Sequence, residues 1–282
     1  MNIQRRDFLK TSLAASATAA LATQAQGASG SSASNREYYE LRCYHLKADT
    51  RLKANAAQAG LDSYLKNAVI PALGKRGVKN VGAFTEIEVN KNAGTSNPKA
   101  DSPVWVLIPH ATLDSFASVS ADLNEDADVK KAGAAYLNLD KGTPPFERLD
   151  TWLLRAFKSM PRMEIPAFSK SKVPTRVFEM RTYESFSEEK ALRKMAMFDD
   201  GEAQVMRDLD MGPLFFGQAL AGKNLPHLTY ITSGRDLAAH LANWKKFPTA
   251  PGWVKMKDDP KYKDTVSKNT PFFLVPTSYS QI

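Results

Sequence analysis

The 282-residue sequence contains one cysteine and four histidines. A single thiol closes no intramolecular disulfide and builds no Cys-rich zinc or iron–sulfur site. The histidines show no HExxH or other tight ligand spacing, so no metal centre is predicted. No apolar run reaches the roughly 18–20 residues that a spanning helix needs. A Gly-rich phosphate cradle is also missing. The formal charge is +8, but the lysines alternate with acids, as in Lys255-Met256-Lys257-Asp258-Asp259. Without a basic stripe carrying interleaved aromatics, nucleic-acid binding is not expected. What is present, 43% apolar and 24% charged residues, is an ordinary globular mixture. The length fits one large domain or two small ones.

The N-terminus carries an address. Arg5 and Arg6 precede Asp7-Phe8-Leu9-Lys10, then a weakly apolar stretch from Leu13 to Ala22 and a Gly/Ser/Ala-rich run. A basic start, a short apolar region and small residues at a cleavage site make an export signal. The arginine pair resembles the twin-arginine (Tat) motif, which implies the Tat machinery as partner and a periplasmic or secreted destination. Cleavage after Ala22 or Ala25 is open, and loss of residues 1–28 leaves a charge of +6. A Ser/Gly/Ala-rich segment, 29–36, follows, and no transmembrane anchor is expected in the mature form.

The remainder is written twice. Tyr39-Glu40-Leu41-Arg42-Cys43-Tyr44 returns as Phe178-Glu179-Met180-Arg181-Thr182-Tyr183. Both copies alternate with period two, a strand signal. Helical spacing follows at 51–75 and 187–210, with Ser187 a plausible N-cap. Strands are expected at 81–89 and 104–108, matched by 213–219 and 225–232. Helical zones at 112–139 and 235–258 lead to closing strands at 151–158 and 272–279. The order β-α-β-β-α-β, twice, is the ferredoxin-like split βαβ pattern. The expected class is α+β, with repeats at 37–159 and 176–282 joined by a linker at 160–175. The two repeats should form one intramolecular pseudo-dimeric barrel, as a monomer or a higher homo-oligomer.

These residues resemble the NIPSNAP family, within the wider dimeric α+β barrel group. The two aromatic-Glu-aliphatic-Arg-x-Tyr strands carry the resemblance. Supporting pieces are Ile70-Pro71-Ala72-Leu73, Met197-Phe198-x-x-Gly201-Glu202, Phe215-Phe216-Gly217, Trp244-x-x-Phe247 and Pro251-Gly252-Trp253. The resemblance implies a fold more than a reaction, because the family has no settled activity. Relatives in the wider group include cofactor-free monooxygenases, isomerases and haem-handling proteins. No cofactor is predicted, with haem left open.

Period two places Tyr39, Leu41 and Cys43 on one face and Glu40, Arg42 and Tyr44 on the other. Phe178, Met180 and Thr182 oppose Glu179, Arg181 and Tyr183 in the same way. The apolar faces are expected under the helices, which sends the Glu-Arg-Tyr faces into the barrel. There the arginines could hold an acidic group of a small ligand and the tyrosines supply hydroxyls. Alternatively, Glu–Arg bridges tie strands together without chemistry.

His227 shares a face with Thr229 and Ile231, is set opposite Trp105 by register, and with Tyr183 is the candidate for proton transfer. Glu202, after the helix glycine Gly201, is expected near a site mouth. Cys43, Trp244, Phe247 and Trp253 read as core, His45 and His110 as surface residues. Three functions therefore stand side by side. They are a ligand-binding barrel, a cofactor-free monooxygenase or isomerase, and a structural protein with a closed ion-pair network.

Overall fold

The computed structural model describes residues 36–46, 51–140, 142 and 144–282, with the side chains of 51–56 excepted. The export signal with Arg5 and Arg6, and the segment up to residue 35, lie outside the described residues.

Among the described residues, nine strands form the core of the fold. The first half supplies β1 (Tyr38–Leu46), β2 (Gly82–Asn90), β3 (Thr95–Pro98), β4 (Val104–His110) and β5 (Phe146–Ala156). The second supplies β6 (Val177–Glu184), β7 (Phe215–Ala221), β8 (His227–Gly234) and β9 (Lys268–Pro276). The antiparallel order is β3-β2-β4-β1-β5-β7-β8-β6-β9, and β2 pairs again with β9. Eight strands thus close into a barrel, and β3 extends β2 as an outer hairpin. Closure removes the free edges that each half alone would expose. Two seams join the halves, Leu153–Ala156 of β5 against β7 and Phe84–Ile87 of β2 against β9. Within each half the order fourth-first-third-second is that of the ferredoxin-like motif, as the repeat predicts.

Helices pack outside. The first half has α1 (Arg51–Tyr64), which runs through a π-helical turn into α2 (Ile70–Lys75). It continues with α3 (Leu113–Glu125), α4 (Ala127–Ala132) and α5 (Ala134–Leu137). A short α6 (Ala167–Lys170) lies in the segment expected as a linker. The second half has α7 (Glu188–Met197), capped by the Ser187 hydroxyl as expected, and α8 (Ala203–Asp208). These are separated by a π-helical turn that breaks at Gly201. Last come α9 (Leu237–Lys246) and α10 (Pro251–Lys257). The expected closing strands are displaced: β5 starts five residues earlier than 151, and β9 covers 268–276 rather than 272–279. Both openings are polar (Glu147, Arg148, Asp150; Lys268, Asn269), because they lie at the barrel rim.

The main correction concerns the faces. Tyr39, Leu41, Cys43, Phe178 and Met180 point into the barrel, where they meet Trp105, Phe215, Ile231 and Leu274. Tyr44 and Tyr183 point outward, into the sheet–helix layers of the first and second halves. The expectation assigned the apolar rows to the helices because buried charge is costly. In a closed barrel both strand faces are buried. The interior offers no helix dipoles or helix side chains as partners, so it takes the apolar row. Cys43 accordingly sits inside the barrel, not under a helix, and burial raises its thiol pKa. That makes it a packing group rather than a nucleophile.

Candidate functional site

The Glu-Arg-Tyr rows form two separate networks, one beneath each helix layer. In the first, Arg42 Nε donates to Glu40 Oε1 (2.6 Å) and Arg42 Nη2 to Ser120 Oγ of α3 (2.9 Å). Glu40 Oε2 lies 3.2 Å from His110 Nε2. His110 is fully buried, not the surface residue expected, because the end of β4 is roofed by α3 through Ser115 and Phe116.

In the second, Arg181 Nε donates to Glu179 Oε1 (2.9 Å), and Glu179 Oε2 lies 2.8 Å from His240 Nε2 of α9. The Arg181 guanidinium stacks on the Trp244 ring at 3.8 Å, so this tryptophan belongs to the network as well as to the core. Tyr183 accepts from Arg181 Nη1 (3.3 Å) and shares a hydrogen bond with Tyr230 (2.9 Å). Burial alone raises the Glu40 and Glu179 carboxyls. Their histidine and arginine partners outweigh it and hold both below the usual carboxylate range.

Glu202 is buried, not at a site mouth. It accepts from Lys194 Nζ (2.7 Å), whose ammonium is ringed by Tyr183, Phe198 and Trp253. Burial outweighs the lysine and raises the Glu202 carboxyl. The Gly201 break turns Glu202 inward instead of outward.

The structure opens elsewhere. One end of the barrel is packed by Tyr39, Phe84, Phe178, Phe215 and Ile282. The other end holds a cavity of about 360 Å³ lined by strands of both halves. Trp105 stacks with Trp152 (centroids 5.8 Å apart) and lies beside Phe272 (5.4 Å), forming an aromatic wall. Opposite stand His227, Thr229 and Thr182. Thr182 Oγ1 and Thr229 Oγ1 are 2.9 Å apart, and Thr229 Oγ1 is 3.3 Å from His227 Nδ1. His227 is 3% exposed, and its Nε2 has no hydrogen-bond partner. Burial lowers its pKa, and the nearby backbone of Leu228 and Lys223, too poorly aligned for a full hydrogen bond, and the charge of Glu184 offset only part of this.

The rim of the cavity is charged but paired. Lys99 bonds Glu86, which also accepts from Trp105 Nε1 (2.9 Å). Asp150 bridges His45 (2.9 Å) and Lys223 (2.5 Å), joining the two halves across the mouth. Lys268 lies 3.5 Å from Glu184. The imidazole can accept a proton from a bound molecule or share a hydrogen bond with it, and the aromatic wall can hold a flat ring.

His227 therefore faces the interior, while Tyr183 lies on the opposite side of the sheet, so the two expected proton-transfer groups do not meet. The register partner of His227 also differs. Tyr38 pairs with His110 and Val177 with Gly234, which sets Pro103 against His227 and Trp105 against Thr229. The slip is two residues, so the face assignment survives it. The expectation missed Trp105, Trp152, Thr182, Thr229, Glu86 and Asp150 as lining residues. Parity with His227 and Met180 identifies most of them once the interior row is known.

Residues 178–281 match the NIPSNAP family model, and residues 2–22 match the twin-arginine translocation signal sequence. No match was found among curated proteins. Among solved structures, a candidate monooxygenase from Lactobacillus acidophilus NCFM is similar, with 8% identity and a TM-score of 0.53 over 86% of this chain and 94% of that one. A second, from Fusobacterium nucleatum, has 10% identity and a TM-score of 0.52 over 86% and 92%. Both share the barrel fold. A NIPSNAP-like domain protein from Burkholderia xenovorans has 15% identity and a TM-score of 0.34 over 38% and 89%.

Proposed function

Taking as premise that the second half of the chain is a NIPSNAP domain, behind a signal that directs export by the Tat pathway, we propose that the protein binds a small organic molecule in the open end of its barrel. The observation that carries this reading is His227, a buried imidazole that lines the cavity and whose Nε2 has no hydrogen-bond partner. Buried polar groups are nearly always hydrogen-bonded, so an orphan beside open space invites a ligand. The volume lies at the lower end of the usual range for small-molecule sites. Neither arginine serves this ligand, because both are engaged beneath the helices.

The acidic ligand that the arginines suggested is not favoured at the mouth. Glu86, Asp101, Asp150 and Glu184 outnumber Lys99, Lys223 and Lys268 there. Haem, a wide apolar ring bearing two carboxylates, does not fit such a mouth, and no step is derived through it. Among the described residues, no group of three or more His, Cys, Asp or Glu could hold a metal ion.

Native mass spectrometry of the exported protein tests the reading. A retained small molecule that disappears in Thr229→Phe, whose ring projects into the cavity, is the expected result. A retained mass unaffected by Thr229→Phe places the ligand outside the barrel and overturns the proposal.

A further inference from the structure

Resting on that reading, we infer that the ligand is a flat, uncharged aromatic compound bearing a hydroxyl, which sits on the Trp105–Trp152 wall with its hydroxyl against His227.

The wall defines the ring. Trp105, Trp152 and Phe272 give a contiguous aromatic surface on one side of a narrow cavity. Offset or tilted stacking on such a surface contributes beyond simple burial of area. Gly222 helps build it. A Cβ there would come within 2.3 Å of Trp152 Cδ1, so the hairpin backbone itself backs this ring.

The histidine defines the polar group. His227 Nδ1 is in contact with Thr229, and Thr229 with Thr182, a chain of hydroxyls that runs in either direction. If Thr229 donates to Nδ1, Nε2 carries the hydrogen and donates. If Nδ1 donates to Thr229, Nε2 accepts. A hydroxyl is both donor and acceptor, so it satisfies Nε2 in either tautomer. A carboxylate or a carbonyl satisfies only one.

The rim defines the charge. Each cavity lysine already has its own carboxylate, Lys99 with Glu86, Lys223 with Asp150 and Lys268 with Glu184. Asp101 adds a further negative charge at the mouth. An anionic ligand would have to break one of these pairs, while a neutral phenol need not.

Quenching of tryptophan fluorescence by three probes of one shape tests this: 2-naphthol, naphthalene and 2-naphthoate. The wild-type protein is expected to bind 2-naphthol at least ten-fold more tightly than either of the others. His227→Phe should lose that advantage, bringing 2-naphthol to the level of naphthalene, while naphthalene binding stays within about two-fold. Far-UV circular dichroism of the variant checks that it is folded, and Thr229→Val, which breaks the hydroxyl chain, provides an independent variant with an intermediate loss. Preference for 2-naphthoate, or equal 2-naphthol affinity in wild type and His227→Phe, overturns the ligand class but leaves the cavity reading standing. Binding of no probe overturns the ligand class, and probe binding unaffected by Thr229→Phe overturns the cavity reading with it.

Discussion

Gly234 makes room for His240. A Cβ at Gly234 would lie 2.7 Å from His240 Cβ and 2.9 Å from the Asp236 carbonyl oxygen. Gly234 stands at the register position that His110 holds in the first half. In the first half the imidazole that binds the buried glutamate therefore comes from the strand. In the second it comes from α9, through the space that the strand glycine leaves. Gly234→Ala should push α9 away and lengthen the His240–Glu179 contact. A loss of about 1–3 kcal/mol is expected, the usual cost of overpacking. Thermal denaturation would read it as a lowered Tm, and an unchanged Tm would mean that α9 is free to shift without loss.

This substitution also shows what sequence alone conveys. The repeat, the βαββαβ order and the barrel are legible because period two and helical spacing are local signals, strong in Tyr39–Tyr44 and Phe178–Tyr183. Which strand face looks inward is not local. It depends on closure, through pairs such as Phe84–Pro276 and Ala156–Gly217, which no single strand announces. Hence Glu40, Arg42, Glu179 and Arg181 read as pocket residues and turn out to be partners of the helix layers. His227 lies inside because it shares its strand face with Thr229 and Ile231, and Ile231 belongs to the barrel interior. The pairing of Glu40 with His110 and of Glu179 with His240 was hidden because the two histidines occupy different elements of the repeat.

Arg181 now carries a different expectation from that of a ligand-binding arginine. Its removal leaves the Glu179 carboxylate, fully buried, with His240 and the distant Lys91 (3.9 Å) as its remaining partners. Breaking a buried pair from one side costs about 3–5 kcal/mol. Arg181→Ala should therefore show a lower urea midpoint while 2-naphthol binding, corrected for the folded fraction, is unchanged. Weakened binding in fully folded Arg181→Ala would return the arginine to the ligand site.

The same networks set the acid limb of stability. Glu40 and Glu179 have folded-state pKa values below the ordinary one, so the unfolded chain binds more protons in this range. Their contribution is fully present above the unfolded carboxyl value of about 4.3 and is lost as pH falls through the lower folded values. Tm measured from pH 7 down to pH 3 should drop more steeply in the wild type than in Glu179→Gln, which has no carboxyl to protonate there. Parallel acid limbs for the two proteins would remove Glu179 from the account.

Lys194 and Glu202 are predicted to behave in the opposite sense. Both are buried, their pair is 2.7 Å long, and the surroundings are aromatic and thioether groups. Burial raises the Glu202 pKa even with the lysine present, so the folded state binds more protons than the unfolded one above the unfolded pKa. Removing the lysine in Lys194→Met takes away the group that opposes this rise. The variant should then gain stability as the pH falls from 7 toward 5, because the proton replaces the lost ammonium, and lose it as the pH rises. Replacing both partners, Lys194→Met with Glu202→Leu, removes both desolvation costs and fills the site with apolar volume. Stability of the double variant should lie between that of the wild type and about 1–4 kcal/mol above it, as for other buried ion pairs replaced by packing groups. Urea denaturation of the three proteins at pH 5 and pH 7 measures both effects. A double variant less stable than Lys194→Met alone would show that the Glu202 carboxyl has a partner other than Lys194.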